Sequence, residues 1–100
     1  MADRFVVRLS GELDLSNAGD TARTMRAAVA NVELPIVTDL TRIRYMDSAA
    51  LRAVWELAER EQERGGKLRV VAPVGSPARQ LLDLVDAGQF MVFVETVEAP

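Results

Sequence analysis

Four short apolar runs along the chain have the length and β-branched composition of strands. In the first, Phe5, Val7 and Leu9 alternate with other residues, share one face, and are followed by Ser10 and Gly11. A short β-branched run such as the second fits a sheet covered on both sides. The predicted strands are residues 5–9, 36–40 (with 41–46 continuing to the end of the sheet), 67–72 and 91–94.

Between these runs, apolar residues recur every three or four positions, which predicts three amphipathic helices. The first starts at Asn17, which with Asp20 forms a capped start, and is broken by Pro35. The second spans residues 48–64, and its charged end, 59–64, is predicted to be solvated. The third starts at Ser76 and is closed by Gly88. The predicted buried positions are Ala18, Ala22, Met25, Val29 and Val32 in the first helix, Leu51, Val54, Trp55 and Ala58 in the second, and Leu81, Leu82 and Val85 in the third.

Strands that alternate with helices predict an α/β fold, with a mostly parallel, mixed sheet of about four strands and helices packed against it. The length of 100 residues suits a single domain over 1–100. We expect frayed ends at about residues 1–3 and 96–100.

Composition excludes several classes of function. The chain has no cysteine and no histidine, so it lacks thiolates, the usual general base and the commonest metal ligand. Its net charge of −3 and its scattered basic residues argue against nucleic-acid binding. No run is long enough to span a bilayer, and no secretory signal is visible, so we expect a cytoplasmic protein.

The residues Asp47 and Ser48 follow the second strand and precede the longest predicted helix. A helix start tolerates an anion, so phosphorylation of Ser48 is compatible with the fold, and it would add about 1.5 to 2 negative charges. Arg52, four residues on, could pair with that phosphate. The alternative is that Ser48 serves only as an N-cap.

Three segments in order resemble one bacterial family. Residues 45–51, Tyr-Met-Asp-Ser-Ala-Ala-Leu, resemble the phosphorylation loop of anti-sigma factor antagonists, typically Met-Asp-Ser-Ser/Thr-Gly-Leu. Residues 8–14 resemble the family's segment that ends in Gly-Glu-Leu/Ile-Asp, and Gly65–Gly66 resembles the glycine pair before its next strand. The similarity covers about Arg4 to Phe93 and implies a STAS domain.

The resemblance implies a partner-switching regulator that is not an enzyme and needs no cofactor. The unphosphorylated antagonist would bind an anti-sigma factor of the GHKL serine-kinase type and release a sigma factor, as in a stress response. That kinase would phosphorylate Ser48, and a PP2C-type phosphatase would reverse the modification. The partner-binding residues implied are Asp14, Asp47, Ser48, Ala49, Ala50, Leu51 and Arg52.

The sequence departs from the family pattern at three places. Ala49 and Ala50 stand where serine or threonine and then glycine are usual, and Arg52 replaces a small residue, which bears on partner choice. The chain begins almost directly in its first strand, so the family's N-terminal edge strand is expected to be missing. The strand at Phe5 would then be an exposed edge, in a monomer or weak homodimer.

Other interpretations remain open from the residues. The chain could be a constitutive STAS scaffold subunit of a bacterial lipid-transport ABC complex, which also has Asp-Ser or Asp-Thr before a helix. It could be an enzyme with Ser48 as nucleophile, although no histidine or well-placed lysine would activate the hydroxyl. Glu12, Asp14 and Asp47 could form an acidic cluster that binds magnesium or an arginine-bearing partner. Trp55 could be a binding anchor, but it suits the core or its margin better.

Overall fold

A computed structural model describes residues 3–100, and its strands and helices alternate as the sequence predicts. The α/β class and the number of main elements are confirmed. The strands are β1 (Phe5–Leu13), β2 (Ile36–Met46), β3 (Leu68–Val71) and β4 (Met91–Phe93). The helices are α1 (Ala18–Val29), α2 (Ser48–Glu63) and α3 (Pro77–Leu84), with a 3₁₀ turn at Ala87–Gln89. Within residues 3–100, no helix is both long and apolar enough to cross a membrane.

The four strands form one sheet in the order β1-β2-β3-β4, and all three pairs are parallel. Each helix connects one strand to the next strand along the sheet, and the strands follow one another in chain order. Because such parallel connections are right-handed, α1, α2 and α3 all lie on the same face of the sheet. The core lies between that face and the helices, around Leu40, Val54, Leu68 and Leu82. In the part of the chain that the structure describes, β1 pairs on one side alone and forms an open edge.

Strand β2 contains two β-bulges that shape its second half. Its register with β1 shifts between Arg8 and Ser10 and again between Gly11 and Glu12, and each shift adds one residue to β2. As a result, Leu40, Ile43 and Met46 are buried at intervals of three residues instead of two. The pairs between them, residues 41–42 and 44–45, are exposed. The sheet therefore continues to Met46 without interrupting the core, and β2 is longer than its predicted apolar part.

The other face of the sheet, which we call the open face, carries the chain's C-terminal residues. The Arg4 guanidinium, just before β1, donates to the carbonyls of Val97 (3.1 Å) and Ala99 (2.6 Å). Since β1 and β4 are opposite edges of the sheet, the segment after β4 crosses the sheet's width to reach Arg4.

Asp39 lies on the open face and is held in a defined position. Its carboxylate accepts hydrogen bonds from the amide and hydroxyl of Thr41 at 3.0 and 2.6 Å, and from Arg8 Nε at 3.3 Å. Burial alone would raise the pKa of Asp39, but the bonds from Thr41 and Arg8 lower it below its ordinary value.

Some local predictions are wrong at helix ends. Asn17 stands at the N-cap of α1, but its side chain bonds the backbone of Glu12 and Asp14 and does not cap the helix. Helix α3 stops at Leu84, so Val85 is 40% exposed and not buried. Gly88 lies inside the 3₁₀ turn and does not close α3. Local periodicity cannot locate such ends when tertiary contacts decide them.

The sequence predicted that the charged end of α2 is solvated, but two of its residues, Arg60 and Glu61, make structural contacts. Glu61 is 5% exposed, and its carboxylate accepts a hydrogen bond from the backbone N–H of Ile36. Arg60 pairs with Glu61 at 3.1 Å and donates to the carbonyls of Val29 and Val32. The end of α2 is thereby fastened to the loop between α1 and β2.

Candidate functional site

The predicted site lies where β1 and β2 end, at the carboxyl edge of the sheet. Leu13 pairs with Met46, so the segments that leave β1 and β2 begin side by side at Asp14 and Asp47. Ligands and partners of open α/β sheets meet this edge, since the loops there are free of the core. The edge therefore brings Asp14 into the neighbourhood of Asp47 and Ser48.

Asp47, and not Ser48, is the N-cap of α2. One oxygen of its carboxylate accepts from the backbone N–H groups of Ala49 (3.0 Å) and Ala50 (3.1 Å). The other oxygen accepts from the N–H of Leu15 at 3.2 Å, and the Asp47 N–H donates to the Leu13 carbonyl. Asp47 thus ties the start of α2 to the segment after β1.

Ser48 is the first residue of α2, and its side chain is exposed. Its hydroxyl makes no hydrogen bond with any of residues 3–100, because Asp47 already performs the capping role. The N-cap explanation of Ser48 is therefore wrong. A group added to this hydroxyl would reach solvent without displacing a contact that holds the fold.

Asp14 is held by its own turn. Its carboxylate accepts from the hydroxyl and the amide of Ser16, and these bonds, with one from the Asn17 amide, keep its pKa below the ordinary value. Within residues 3–100, no three acidic, histidine or cysteine side chains are grouped so as to hold a metal ion. The magnesium cluster considered for Glu12, Asp14 and Asp47 does not form there.

The next residues of α2 point in different directions. Ala50 is buried against the core, whereas Ala49 and Leu51 are half-buried at its margin. Arg52 is exposed and forms no ion pair or hydrogen bond with the residues that the structure describes. The surface beside Ser48 is consequently formed by Ala49, Leu51 and Arg52, with the Ala50 methyl group turned inward.

Two exposed apolar residues that follow strands were not identified from the sequence. Leu15, after β1, is 80% exposed, and Val74, after β3, is 85% exposed. Leu15 lines the same groove as Ser48. Val74 lies away from it along the sheet, because the last residue of β3, Val71, pairs with Asp39 in the middle of β2. In the sequence, each could have been recognised only as an apolar residue in a turn that belongs to neither a helical nor a strand pattern.

Trp55 lies further along α2, at the margin of the core. Its ring packs against Phe90 with a centroid distance of 5.1 Å and an interplanar angle of 60°. Trp55 is half-buried and contacts the core cluster, as the structural interpretation predicted. It is committed to packing between α2 and the 3₁₀ turn.

Comparison with known proteins identifies a matching family and several similar folds. Residues 2–99 match the family model described as the STAS domain. The fold is similar to that of an anti-sigma factor antagonist from Mycobacterium paratuberculosis, with 24% identity, a TM-score of 0.84, and coverage of 98% of this chain and 82% of that one.

The fold is also similar to two structures of SpoIIAA. The unphosphorylated form of this anti-sigma factor antagonist has 21% identity and a TM-score of 0.67, over 96% of this chain and 83% of that one. The phosphorylated form of the Bacillus cell fate determinant SpoIIAA has 22% identity and a TM-score of 0.67, over 96% and 86%. These likenesses show a shared fold.

Proposed function

The chain belongs to the STAS domain family, and from this premise we propose that it is an anti-sigma factor antagonist regulated at Ser48. In its unphosphorylated form it binds an anti-sigma factor and thereby releases a sigma factor. Phosphorylation of Ser48 ends that binding. The proposal extends to this chain the activity named for its structural neighbours, one of which is SpoIIAA in a phosphorylated form.

The observation that carries the proposal is the division of roles between Asp47 and Ser48. Asp47 caps α2, while the Ser48 hydroxyl is exposed and unbonded within residues 3–100. A serine that served only to cap the helix would be expected to make the capping bond itself. An exposed hydroxyl on a fixed helix end is instead suited to a kinase that must reach it.

The partner surface proposed is the carboxyl edge around Ser48. An exposed apolar patch often marks a protein contact, and Leu15, Ala49 and Leu51 line the same groove as the serine, with Leu15 80% exposed. A phosphate of about 1.5 to 2 negative charges beside these apolar side chains would oppose burial of that surface. Phosphorylation then acts locally, without unfolding the domain.

The partner classes proposed are a GHKL-type anti-sigma factor, which acts as the serine kinase, and a PP2C-type phosphatase. ATP belongs to the kinase, so this chain needs no cofactor. It acts as substrate and competitor in the cytoplasm, and not as an enzyme. The position of the Ser48 hydroxyl agrees with this role, because no side chain of residues 3–100 accepts its hydrogen bond as a general base would.

The test begins by isolating the anti-sigma factor with the chain as bait in cells of its source. The purified partner and ATP should add one phosphate at Ser48, as read by intact-mass and peptide analysis, and none to Ser48→Ala. The control is Ser76→Ala, because Ser76 also stands at a helix start but is half-buried and caps α3.

Phosphorylation at another residue would refute the switch at Ser48. So would the absence of phosphorylation by an isolated kinase that is shown to be active. Recovery of an ABC-transporter ATPase instead, with binding unaffected by Ser48→Glu, would favour the scaffold alternative.

A further inference from the structure

A groove between α1 and α2, here called the α1–α2 groove, opens beside Ser48 and runs the length of α2. Its half near Ser48 has a floor of small and apolar residues from both helices. Its distal half reaches Glu63 at the end of α2. The two halves share Ala22, Arg26, Ala53 and Glu56. With 16 residues in α2, the groove extends about 24 Å, enough for about four turns of a second helix.

The charges along the groove are divided between its ends. Near Ser48 its lining carries three arginines (Arg23, Arg26 and Arg52) and one glutamate, Glu56. This positive end contrasts with the chain's net charge of −3. Asp20 pairs with Arg23, and Glu56 pairs with Arg26 at 2.7 Å across the groove. Of the three arginines at this end, Arg52 is therefore the one that forms no ion pair with the described residues.

The distal end of the groove has the opposite character. It is lined by three glutamates, Glu56, Glu59 and Glu63, and two arginines, Arg26 and Arg60. Arg60 is occupied by Glu61 and by backbone carbonyls, so it does not offset the exposed acids. Glu59 and Glu63 are exposed. The groove is therefore positive at Ser48 and negative at its far end.

From this distribution we infer that the α1–α2 groove binds an amphipathic helix of the partner, with acidic residues beside Arg52 and basic residues beside Glu59 and Glu63. The inference rests on the proposed function and adds the chemistry and orientation of the bound segment. The small residues of the floor allow close approach of a second helix, and opposite charges at the two ends select one direction. Phosphorylation of Ser48 would neutralise the positive end and repel the acidic end of the partner helix.

The experiment measures the dissociation constant of the isolated anti-sigma factor for matched charge variants. Arg52→Glu and Glu63→Arg should each weaken binding by about tenfold, because each places like charges together. Arg42→Glu, an exposed arginine on the open face, is the control and should change binding less than about twofold. All three side chains are exposed, so the fold should persist, as circular dichroism would verify.

A second variant tests the groove by shape. Gly19 is exposed near the start of α1 and lines the groove, and a β-carbon there would have only an ordinary contact, 3.7 Å from Arg23 Nη1. Gly19→Leu should raise helix propensity and therefore leave the melting temperature unchanged or higher. It should nevertheless weaken partner binding by obstructing the floor of the groove.

The outcomes separate this inference from the proposed function. If the wild-type chain binds the anti-sigma factor and both Arg52→Glu and Gly19→Leu bind equally well, the groove inference is overturned while the function stands. If these variants change self-association in sedimentation velocity and leave partner binding intact, the groove holds a second copy, and the inference also fails. If the wild-type chain binds no anti-sigma factor, both fail.

Discussion

Replacing Asp47 by alanine should destabilise the domain far more than replacing the neighbouring Ser48. The Asp47 carboxylate accepts three backbone hydrogen bonds, two from the first turn of α2 and one from Leu15. Loss of an N-cap costs about 1 kcal/mol, and loss of the exposed bond to Leu15 adds roughly as much. We expect Asp47→Ala to lower the free energy of unfolding by about 2 kcal/mol.

Ser48→Ala should change the free energy of unfolding by less than about 0.5 kcal/mol, because the exposed Ser48 hydroxyl makes no hydrogen bond with residues 3–100 and alanine is the better helix former. Urea denaturation followed by circular dichroism measures both values. In thermal melts, Asp47→Ala should lower the midpoint by about 10 °C. Asp47→Asn is the matched control: its amide oxygen retains the cap but its NH₂ group cannot accept from Leu15, so it should lose about half as much.

The reasoning would be refuted if Ser48→Ala were as destabilising as Asp47→Ala, since that result would make Ser48 the structural cap. It would also be refuted if Asp47→Ala left stability unchanged. Because both variants are measured without a partner, this test is independent of the regulatory proposal. It isolates the local geometry on which that proposal depends.

Three further predictions concern the rest of the fold. Glu61→Ala leaves the buried N–H of Ile36 unpaired and should destabilise by about 2 to 3 kcal/mol in urea denaturation, whereas the exposed Glu59→Ala should stay within about 0.5 kcal/mol. The Thr38 hydroxyl is the one buried side-chain polar atom without a hydrogen-bond partner among the described residues, so Thr38→Val should stabilise by about 1 kcal/mol; a loss of stability would contradict this. Because the pKa of Asp39 is lowered, its carboxylate stabilises the fold above about pH 4, and this contribution is lost as the pH falls further. Asp39→Asn should therefore lower the melting temperature at pH 7. It should also reduce the fall in melting temperature between about pH 5 and pH 3. An unchanged acid profile for Asp39→Asn would contradict the assignment.

Residue patterns alone determined the alternation of strands and helices, the parallel sheet and the position of Ser48 at the start of α2. These features depend on local periodicity and on helix and strand signals, which adjacent residues encode directly. The motif around Asp47 and Ser48 also indicated the family. The family match over residues 2–99 confirms that indication.

Tertiary structure alone decided the features that depend on distant residues. The choice of Asp47 over Ser48 as the N-cap became visible only with the bonds from α2 and Leu15. Glu61 resembled a solvated charge until the fold brought the N–H of Ile36 against it, 25 positions away in the chain. The bulges of β2 and the charge division along the α1–α2 groove likewise arise from register and packing between elements, which no local spacing specifies.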